Sequence, residues 1–240
     1  MNIIVTGCSR GVGLEICRVL LEQGNTVYGI ARSYTDEFKT LESQFVGKVF
    51  FKSVDLADCE NVRQNIFKDF CGNKVKIDGY VNNAAIAYDD IVTNLNLERL
   101  KAMYDVNVFT PMMMTKNVIR NMLLHKTKGA IVHISSISAH TGYKGLAMYA
   151  SSKGALEAFS KDTAREWGPL GIRSNVVVPG FMATTMSSTL TEEQRGKIYA
   201  RTSLKAATSI RSVAETVAFL MSEKAESITG QNIHVDNGTI

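Results

Sequence analysis

A glycine-rich segment near the amino terminus constrains the fold more than any other stretch of the sequence. Residues 6–13 read Thr-Gly-Cys-Ser-Arg-Gly-Val-Gly, between a short apolar run at 2–6 and a helical pattern with apolar residues at 14, 16, 17, 20 and 21. Glycines in such a strand–turn–helix unit let the backbone approach a pyrophosphate at the helix N-terminus. A purely structural turn is the alternative, but the strand and helix on either side favour a dinucleotide site.

The rest of the chain alternates short apolar strands with longer helical patterns. This alternation predicts an α/β fold built from strand–helix–strand units around a parallel sheet. There is no linker, repeat or low-complexity segment, so we predict one domain over residues 1–240. The predicted strands are 2–6, 26–30, 49–54, 79–81, 130–135, 174–178 and 232–235, and the predicted helices lie near 12–23, 59–71, 97–126, 148–168 and 211–222.

Composition and charge exclude several classes of protein. The charged fraction of 21% and the apolar fraction of 45% are typical of a folded globular domain. No apolar run reaches the ~20 residues of a membrane span. The first strand follows Met1 directly, without a basic and then apolar stretch, so we expect no signal peptide. The net charge of +4, without a dense basic cluster, argues against a nucleic-acid site. Four scattered cysteines and four histidines show no metal-ligand spacing, so we expect free thiols in a reducing cytoplasm and no bound metal.

The end of the second strand indicates which dinucleotide binds. An NAD site usually places an acidic residue there to accept from the ribose 2′-hydroxyl. This chain has Arg32 at that position and Arg10 in the glycine-rich turn. Both guanidinium groups could bind a 2′-phosphate through charge-assisted hydrogen bonds, although both could also be solvated surface residues. The sequence therefore predicts NADP(H).

Polar and small residues also follow the third and fourth strands. Asp55 could accept from an adenine amino group and Leu56 could flank the ring, although an aspartate after a strand is more often a helix cap. The segment 82–85, Asn-Asn-Ala-Ala, combines amides that could tie neighbouring strands with side chains small enough for a ligand to approach. Open parallel sheets bind ligands at the carboxyl ends of their strands, where all of these residues are predicted to lie.

Three residues in the second half of the chain suggest proton transfer to an oxygen. Tyr149 and Lys153 are four residues apart in a helical pattern and so share a face. A nearby cation is expected to lower the tyrosine pKa from ~10 and make the phenol a usable general acid or base. Ser136, at the end of the fifth strand, could hydrogen-bond the same oxygen. Taken alone, the tyrosine–lysine spacing more often marks two surface neighbours.

The combined motifs resemble the short-chain dehydrogenase/reductase family along the whole chain, and within it the bacterial 3-oxoacyl-[acyl-carrier-protein] reductases. The resemblance implies a Rossmann-type, doubly wound sheet of seven parallel strands with three helices on each face, and a homotetramer. It rests on 6–13, Asp55, 82–85, Asn107, Ser136, Tyr149, Lys153, Pro179-Gly180, Thr184, and the stretches 190–195 and 228–236.

The resemblance also implies a role for each matching residue. Tyr149 would donate the proton, Ser136 would orient the carbonyl, Lys153 would hold the nicotinamide ribose and lower the Tyr149 pKa, and Asn107 would anchor a water in a proton relay. The cofactor would be lined by Gly7, Ser9, Arg10, Gly11, Gly13, Arg32, Asp55, Leu56, Asn83, Ala84, Tyr149, Lys153, Pro179, Gly180, Met182 and Thr184.

Three departures from the family pattern bear on function. Ala85 and Asn237 stand where glycines are usual, and asparagine tolerates left-handed backbone better than most residues. Lys126 and Lys128 supply one of two basic positions used to dock an acyl carrier protein, but Leu170 occupies the other. The docking of an acidic carrier protein is therefore supported at only one of these two positions. The resemblance as a whole predicts an NADPH-dependent ketoreductase, most like the 3-oxoacyl-[acyl-carrier-protein] reductases of fatty acid biosynthesis, whose ketone substrate is either a small molecule or bound to acyl carrier protein. It also predicts a substrate flap near 181–209.

Two alternatives stay open from the sequence. The first is a member of the same family acting on another ketone, sugar or secondary alcohol. The second is a non-catalytic protein that senses NADP(H) or serves as a scaffold, against which the intact Ser136, Tyr149 and Lys153 argue.

Overall fold

A single sheet of seven parallel strands lies at the centre of the chain, in a computed structural model that describes residues 1–72, 74–183 and 191–240. The strand order is β3-β2-β1-β4-β5-β6-β7. Each strand agrees with its prediction to within one residue at either end. The strands are β1 (Asn2–Thr6), β2 (Thr26–Ala31), β3 (Val49–Ser53), β4 (Gly79–Asn82), β5 (Ala130–Ile134), β6 (Arg173–Pro179) and β7 (Asn232–Val235).

Helices cover both faces of this sheet. They are α1 (Gly11–Glu22), α2 (Asp36–Gln44), α3 (Leu97–Tyr104), α4 (Thr110–Leu124), α5 (Ala147–Trp167), α6 (Glu192–Tyr199) and α7 (Ile210–Met221). Helices α1, α2 and α7 share a core with one face of the sheet, and α4, α5 and a helical turn at Arg63–Lys68 cover the other face.

Burial on both faces explains why the strands are continuous apolar runs rather than alternating ones. In β5, Ala130, Val132 and Ile134 pack into the core beneath α1 and α7, whereas Ile131 packs into the core beneath α4. The same division holds in β1, where Ile3 and Ile4 face opposite cores. The fold class predicted from the sequence is confirmed.

The helix predictions need three corrections. No helix was predicted between β2 and β3, yet α2 forms there, with Thr35 accepting a hydrogen bond from the Phe38 amide as its N-cap. The predicted helix at 59–71 is reduced to the π-helical turn Arg63–Lys68. The predicted helix at 97–126 is divided into α3 and α4 by a second π-helical turn, Asp105–Phe109.

The strand order places a crevice at the carboxyl ends of β1 and β4. The chain winds from β1 to β3 on one side and from β4 onward on the other, so connections leave these two neighbours in opposite directions. Such a switch point is where open parallel sheets bind ligands. In the described part of the chain, no helix has the length and apolar character to cross a bilayer.

Candidate active site

Asn83 and Thr6 join the two strands that border the crevice. Thr6 Oγ1 accepts hydrogen bonds from the amides of Asn83 and Ala84, at 3.1 and 3.2 Å. Asn83 Nδ2 in turn donates to the carbonyls of Thr6 and Gly7, at 3.0 and 3.2 Å. Asn82 Nδ2 lies 3.3 Å from His133 Nδ1 and connects β4 to β5 in the same way. The prediction that the asparagine amides tie neighbouring strands is confirmed.

The glycine-rich turn is packed so closely that side chains would not fit at two positions. A Cβ on Gly13 would lie 2.1 Å from the Gly7 carbonyl oxygen, and Gly7 has a φ of +67°, which favours glycine. Gly11 also has a positive φ, of +57°, but a Cβ there would meet nothing within 4 Å. The turn is therefore folded tightly against α1 and is open on the side of Gly11, as a diphosphate-binding turn requires.

The N-terminus of α1 suits an anion. Its N-cap is Arg10, which makes no side-chain capping bond, and the first turn contains no acidic residue. The amides there keep their partial positive charge for a ligand. Thr35 Oγ1 donates to the Ser9 carbonyl at 2.6 Å and so attaches the turn to the β2–α2 connection. No local sequence pattern predicts this role of Thr35, because its partner Ser9 is 26 residues away.

The residues expected to select and flank the adenosine half are Arg10, in the turn itself, and Arg32, Asp55 and Leu56, which follow β2 and β3. Arg10 and Arg32 are both exposed, and Arg32 immediately follows β2, with its carbonyl accepting from Ser53 Oγ at 2.8 Å. Asp55 is exposed and accepts from the Ala57 amide at 3.0 Å. Leu56 is buried, and its carbonyl accepts from Thr110 Oγ1. Asp55 thus already stabilises a local turn, with further acceptor sites on its carboxylate.

The carboxyl end of β6 forms the other wall. Pro179 ends the strand, and the Gly180 amide donates to the Val235 carbonyl at 2.9 Å. A Cβ on Gly180 would lie 2.4 Å from Thr208 Oγ1, so glycine is needed for this close approach. Met182 is half-buried against the core beneath α1 and α7. Thr184, also expected to contact the cofactor, lies outside the described residues.

Lys153 is fixed to the end of β5. Its ammonium donates to the Ile134 carbonyl at 2.9 Å, and the residue is only 2% exposed. Burial lowers the pKa of Lys153 to about 8. An ammonium has three donors and the Ile134 carbonyl takes one, so the group can also bind a ribose hydroxyl.

Tyr149 lies one turn before Lys153 on α5, with its ring centroid 5.6 Å from Lys153 Nζ. The prediction that Lys153 lowers the Tyr149 pKa is wrong for the protein without cofactor. Burial raises the pKa of Tyr149 to about 12, and the negative charge of Asp89 adds to the effect. Removing the phenolate from water is the larger of these two effects. The sequence did not predict this effect of Asp89, although its position shortly after the segment 82–85 could have indicated that it lies near the site.

Ser136 begins the turn that follows β5. Its Oγ accepts from the Ser138 amide at 3.2 Å as the cap of the short helical turn Ile137–Ala139. A hydroxyl has one donor besides its two acceptor sites, so this bond leaves the Ser136 proton free to be donated to a carbonyl oxygen. Ser136 is two residues beyond the carbonyl that holds Lys153, which brings the serine and the lysine to the same end of β5.

Asn107 lies in the π-helical turn between α3 and α4 and is buried. Its Nδ2 donates to the Ile86 carbonyl at 2.9 Å and to Ser152 Oγ at 3.1 Å, while its Oδ1 accepts from the Ile86 amide at 2.9 Å. The side chain therefore fastens the segment after β4 to α5. Both donors are in use, so a water held by the side chain would bind at the second lone pair of Oδ1.

His133 is buried on β5, one residue before Ile134, whose carbonyl accepts from Lys153. Burial and the charge of Lys153 lower its pKa to about 3, so the imidazole is neutral. In the described chain its Nε2 has no hydrogen-bond partner.

A family model described as Enoyl-(Acyl carrier protein) reductase matches residues 7–239. The chain is 34% identical to 3-oxoacyl-[acyl-carrier-protein] reductase FabG of Escherichia coli (strain K12) over 239 residues, covering 98% of this chain and 95% of that protein. The same protein of Buchnera aphidicola subsp. Schizaphis graminum is 34% identical over 235 residues, with the same coverage of both chains. The chain belongs to the short-chain dehydrogenase/reductase family.

Solved structures of short-chain dehydrogenases/reductases match the fold over almost its whole length. 4-Hydroxyisoleucine dehydrogenase complexed with NADH has a TM-score of 0.92 at 25% identity, covering 99% of this chain and 98% of that one. A protein from Beutenbergia cavernae, named for NAD(P) dependent gluconate 5-dehydrogenase activity and solved with bound NADP, has a TM-score of 0.92 at 27% identity and covers 99% and 96%. The chain is thus an oxidoreductase for CH–OH and C=O groups that uses a nicotinamide cofactor.

Replacing Lys153 by Met should change how stability depends on pH. In the unfolded chain the lysine pKa returns to ~10.4, above its folded value of about 8. Between these values the unfolded state binds more protons, so lysine destabilises the fold fully below pH 8 and less as the pH rises. The unfolding free energy of the wild type, relative to that of the variant, should therefore rise by about 1 kcal/mol between pH 7 and pH 9. Urea unfolding of both cofactor-free proteins measures this difference, and parallel pH profiles would contradict it.

Proposed function

We propose that the protein is an NADPH-dependent ketoreductase, and that its substrate is a 3-oxoacyl thioester carried by acyl carrier protein in fatty acid biosynthesis. The observation that carries this proposal is the attachment of Lys153 to the Ile134 carbonyl, which brings Tyr149, Lys153 and Ser136 to the end of one strand. The substrate class is supported by the FabG relatives at 34% identity over nearly the whole chain.

When bound, a nicotinamide cofactor would supply the hydride for the carbonyl carbon. Tyr149 gives its proton to the carbonyl oxygen, and its pKa of about 12 keeps that proton in place at neutral pH. Ser136 donates a hydrogen bond to the same oxygen, and Lys153 stabilises the phenolate that remains. Positioning contributes a large part of the acceleration and proton transfer ~10²–10⁴-fold. Asn107 holds the segment after β4 against α5 and binds the relay water at Oδ1.

The described part of residues 181–209 supports a flap beside this site. α6 is capped at Thr191, whose side chain and that of Gln194 form reciprocal bonds with the backbone. The Thr208 amide donates to the Phe181 carbonyl at 2.8 Å and closes the segment at its base. We propose that this flap covers the substrate. A homotetramer and a cytoplasmic location remain predictions from the family and from the free cysteines.

Replacing Tyr149 by Phe should abolish reduction and leave NADPH binding nearly unchanged, because the reaction needs the proton of the phenol, whereas Lys153 and the other residues that line the cofactor are kept. NADPH affinity by fluorescence titration and NADPH oxidation with acetoacetyl thioester measure the two properties. Tyr104→Phe, a phenol that donates to Ser151 Oγ, is the control and should keep its rate. A Tyr149→Phe variant that retained most of its reductase rate would refute the proton-donor role.

Replacing Arg32 by Ala should weaken NADPH binding by about 10–100-fold, since charge-assisted hydrogen bonds contribute ~1.5–3 kcal/mol. NADH has no 2′-phosphate, so its affinity should stay within about twofold. Arg63→Ala removes another exposed arginine and serves as the control. Equal losses for NADPH and NADH, or none, would show that Arg32 does not select the cofactor.

The acyl-carrier partner requires a separate test, because Lys126 and Lys128 precede β5 whereas Ser136 follows it. A five-residue strand is ~17 Å long, so within one chain the basic residues lie at the far end from the site. A carrier bound there would have to serve the site of another subunit in an oligomer.

Acetoacetyl-carrier substrate should be reduced with a kcat/KM at least tenfold above that of its free thioester analogue. Charge reversal by Lys126→Glu should remove this advantage and leave the free thioester rate unchanged, with the exposed Lys224→Glu as the control. Equal rates on both substrates would favour a small ketone, sugar or alcohol, as the names of the structural neighbours suggest. Turnover of an enoyl thioester in place of the ketone would point to the activity in the family model's description.

A further inference from the structure

Glu157 extends the chemical face of α5 by one more turn. Tyr149, Lys153 and Glu157 are spaced four residues apart and so follow one face of the helix. Glu157 is 8% exposed, although it is an acid and lies beyond the two residues given roles above. Burying a carboxylate costs free energy unless it is paired and hydrogen-bonded, and an apolar residue at such a position is often at least as stabilising.

Three donors from two segments, the β5–α5 connection and β7, surround the Glu157 carboxylate. Ser135 Oγ donates to Oε1 from the residue after β5, and Asn232 Nδ2 donates to Oε2 at 2.7 Å from β7. His140 Nε2 lies 3.0 Å from the carboxylate, in the turn after β5. The His140 ring also packs edge-on against His234 of β7, with centroids 4.7 Å apart. The carboxylate therefore joins the start of the β5–α5 connection to α5 and to the last strand.

These contacts fix the position of Ser135, the residue that precedes Ser136. The Ile134 carbonyl is held by Lys153, the Ser135 amide donates to the Val177 carbonyl at 2.8 Å, and the Ser135 hydroxyl is held by Glu157. Bonds to a carboxylate are stronger than those between neutral groups. Ser136 is the next residue in the chain, so loss of the contact between Ser135 and the Glu157 carboxylate would move the Ser136 hydroxyl away from the carbonyl oxygen of a substrate.

We propose that Glu157 is a positioning residue for the reaction, acting through Ser135 to hold Ser136 in reach of the substrate oxygen. The proposal rests on the ketoreductase function proposed above. It predicts that loss of the carboxylate slows the chemical step more than it weakens the binding of either substrate.

Glu157→Gln and Ser135→Ala test this, singly and combined. Each single variant should lower kcat about tenfold, leave the KM for NADPH within twofold, and raise the primary isotope effect measured with deuterated NADPH. The double variant should lose no more than the worse single one, because both remove the same contact. Two control variants on the same helix, Ser160→Ala and the exposed Glu166→Gln, should keep the wild-type kcat. The first deletes a buried hydroxyl that lies 2.8 Å from Ser174 Oγ of β6.

A wild-type kcat in Glu157→Gln, or additive losses in the double variant, would overturn the proposal. Failure of the wild-type protein to reduce any ketone would instead overturn the proposed function. In that case hydrogen exchange decides the positioning role, because amides of residues 135–141 should exchange at least tenfold faster in Glu157→Gln and Ser135→Ala and at the wild-type rate in Ser160→Ala. Unchanged exchange in the first two variants would overturn it.

Discussion

The hydrogen bond from Lys153 Nζ to the Ile134 carbonyl, 2.9 Å long, joins α5 to the carboxyl end of β5 in a region closed to solvent. It requires a charged group to give up most of its water, which is why the pKa of Lys153 falls to about 8. In return it sets the register between the helix that carries Tyr149 and the strand that leads to Ser136. The rest of the site is arranged around this fixed point.

Burial has a second consequence for the chemistry. The ring of Tyr149 packs against a small cluster of Tyr88, Met103 and Met148, and Asp89 lies close enough for its charge to act on the phenol. Both effects raise the Tyr149 pKa and keep the phenol protonated at neutral pH. In the cofactor-free chain the Tyr149 phenol therefore carries its proton at neutral pH.

The crevice depends equally on close backbone approach. Asn83 fastens β4 to the glycine-rich turn, and Gly13 and Gly180 occur where a Cβ would collide with a neighbouring residue. Asn237, which replaces a usual glycine, has a φ of +58°, and its Nδ2 donates to the Ala206 carbonyl at 2.9 Å. The expectation that asparagine tolerates this turn is confirmed. The left-handed backbone is compensated by a hydrogen bond that glycine could not make.

Local signals in the sequence determined the seven strands, the glycine-rich turn and the pairing of Tyr149 with Lys153, because buried parallel strands are apolar runs and helical spacing fixes which side chains share a face. The sequence missed α2, whose helix has little apolar character beyond Phe38 and Leu41. It also missed the π-helical turn that holds Asn107. Only the tertiary structure decided the Tyr149 pKa and the partners of Glu157. Both depend on burial and on residues from distant segments, such as Asn232, 75 positions away, which no local pattern contains.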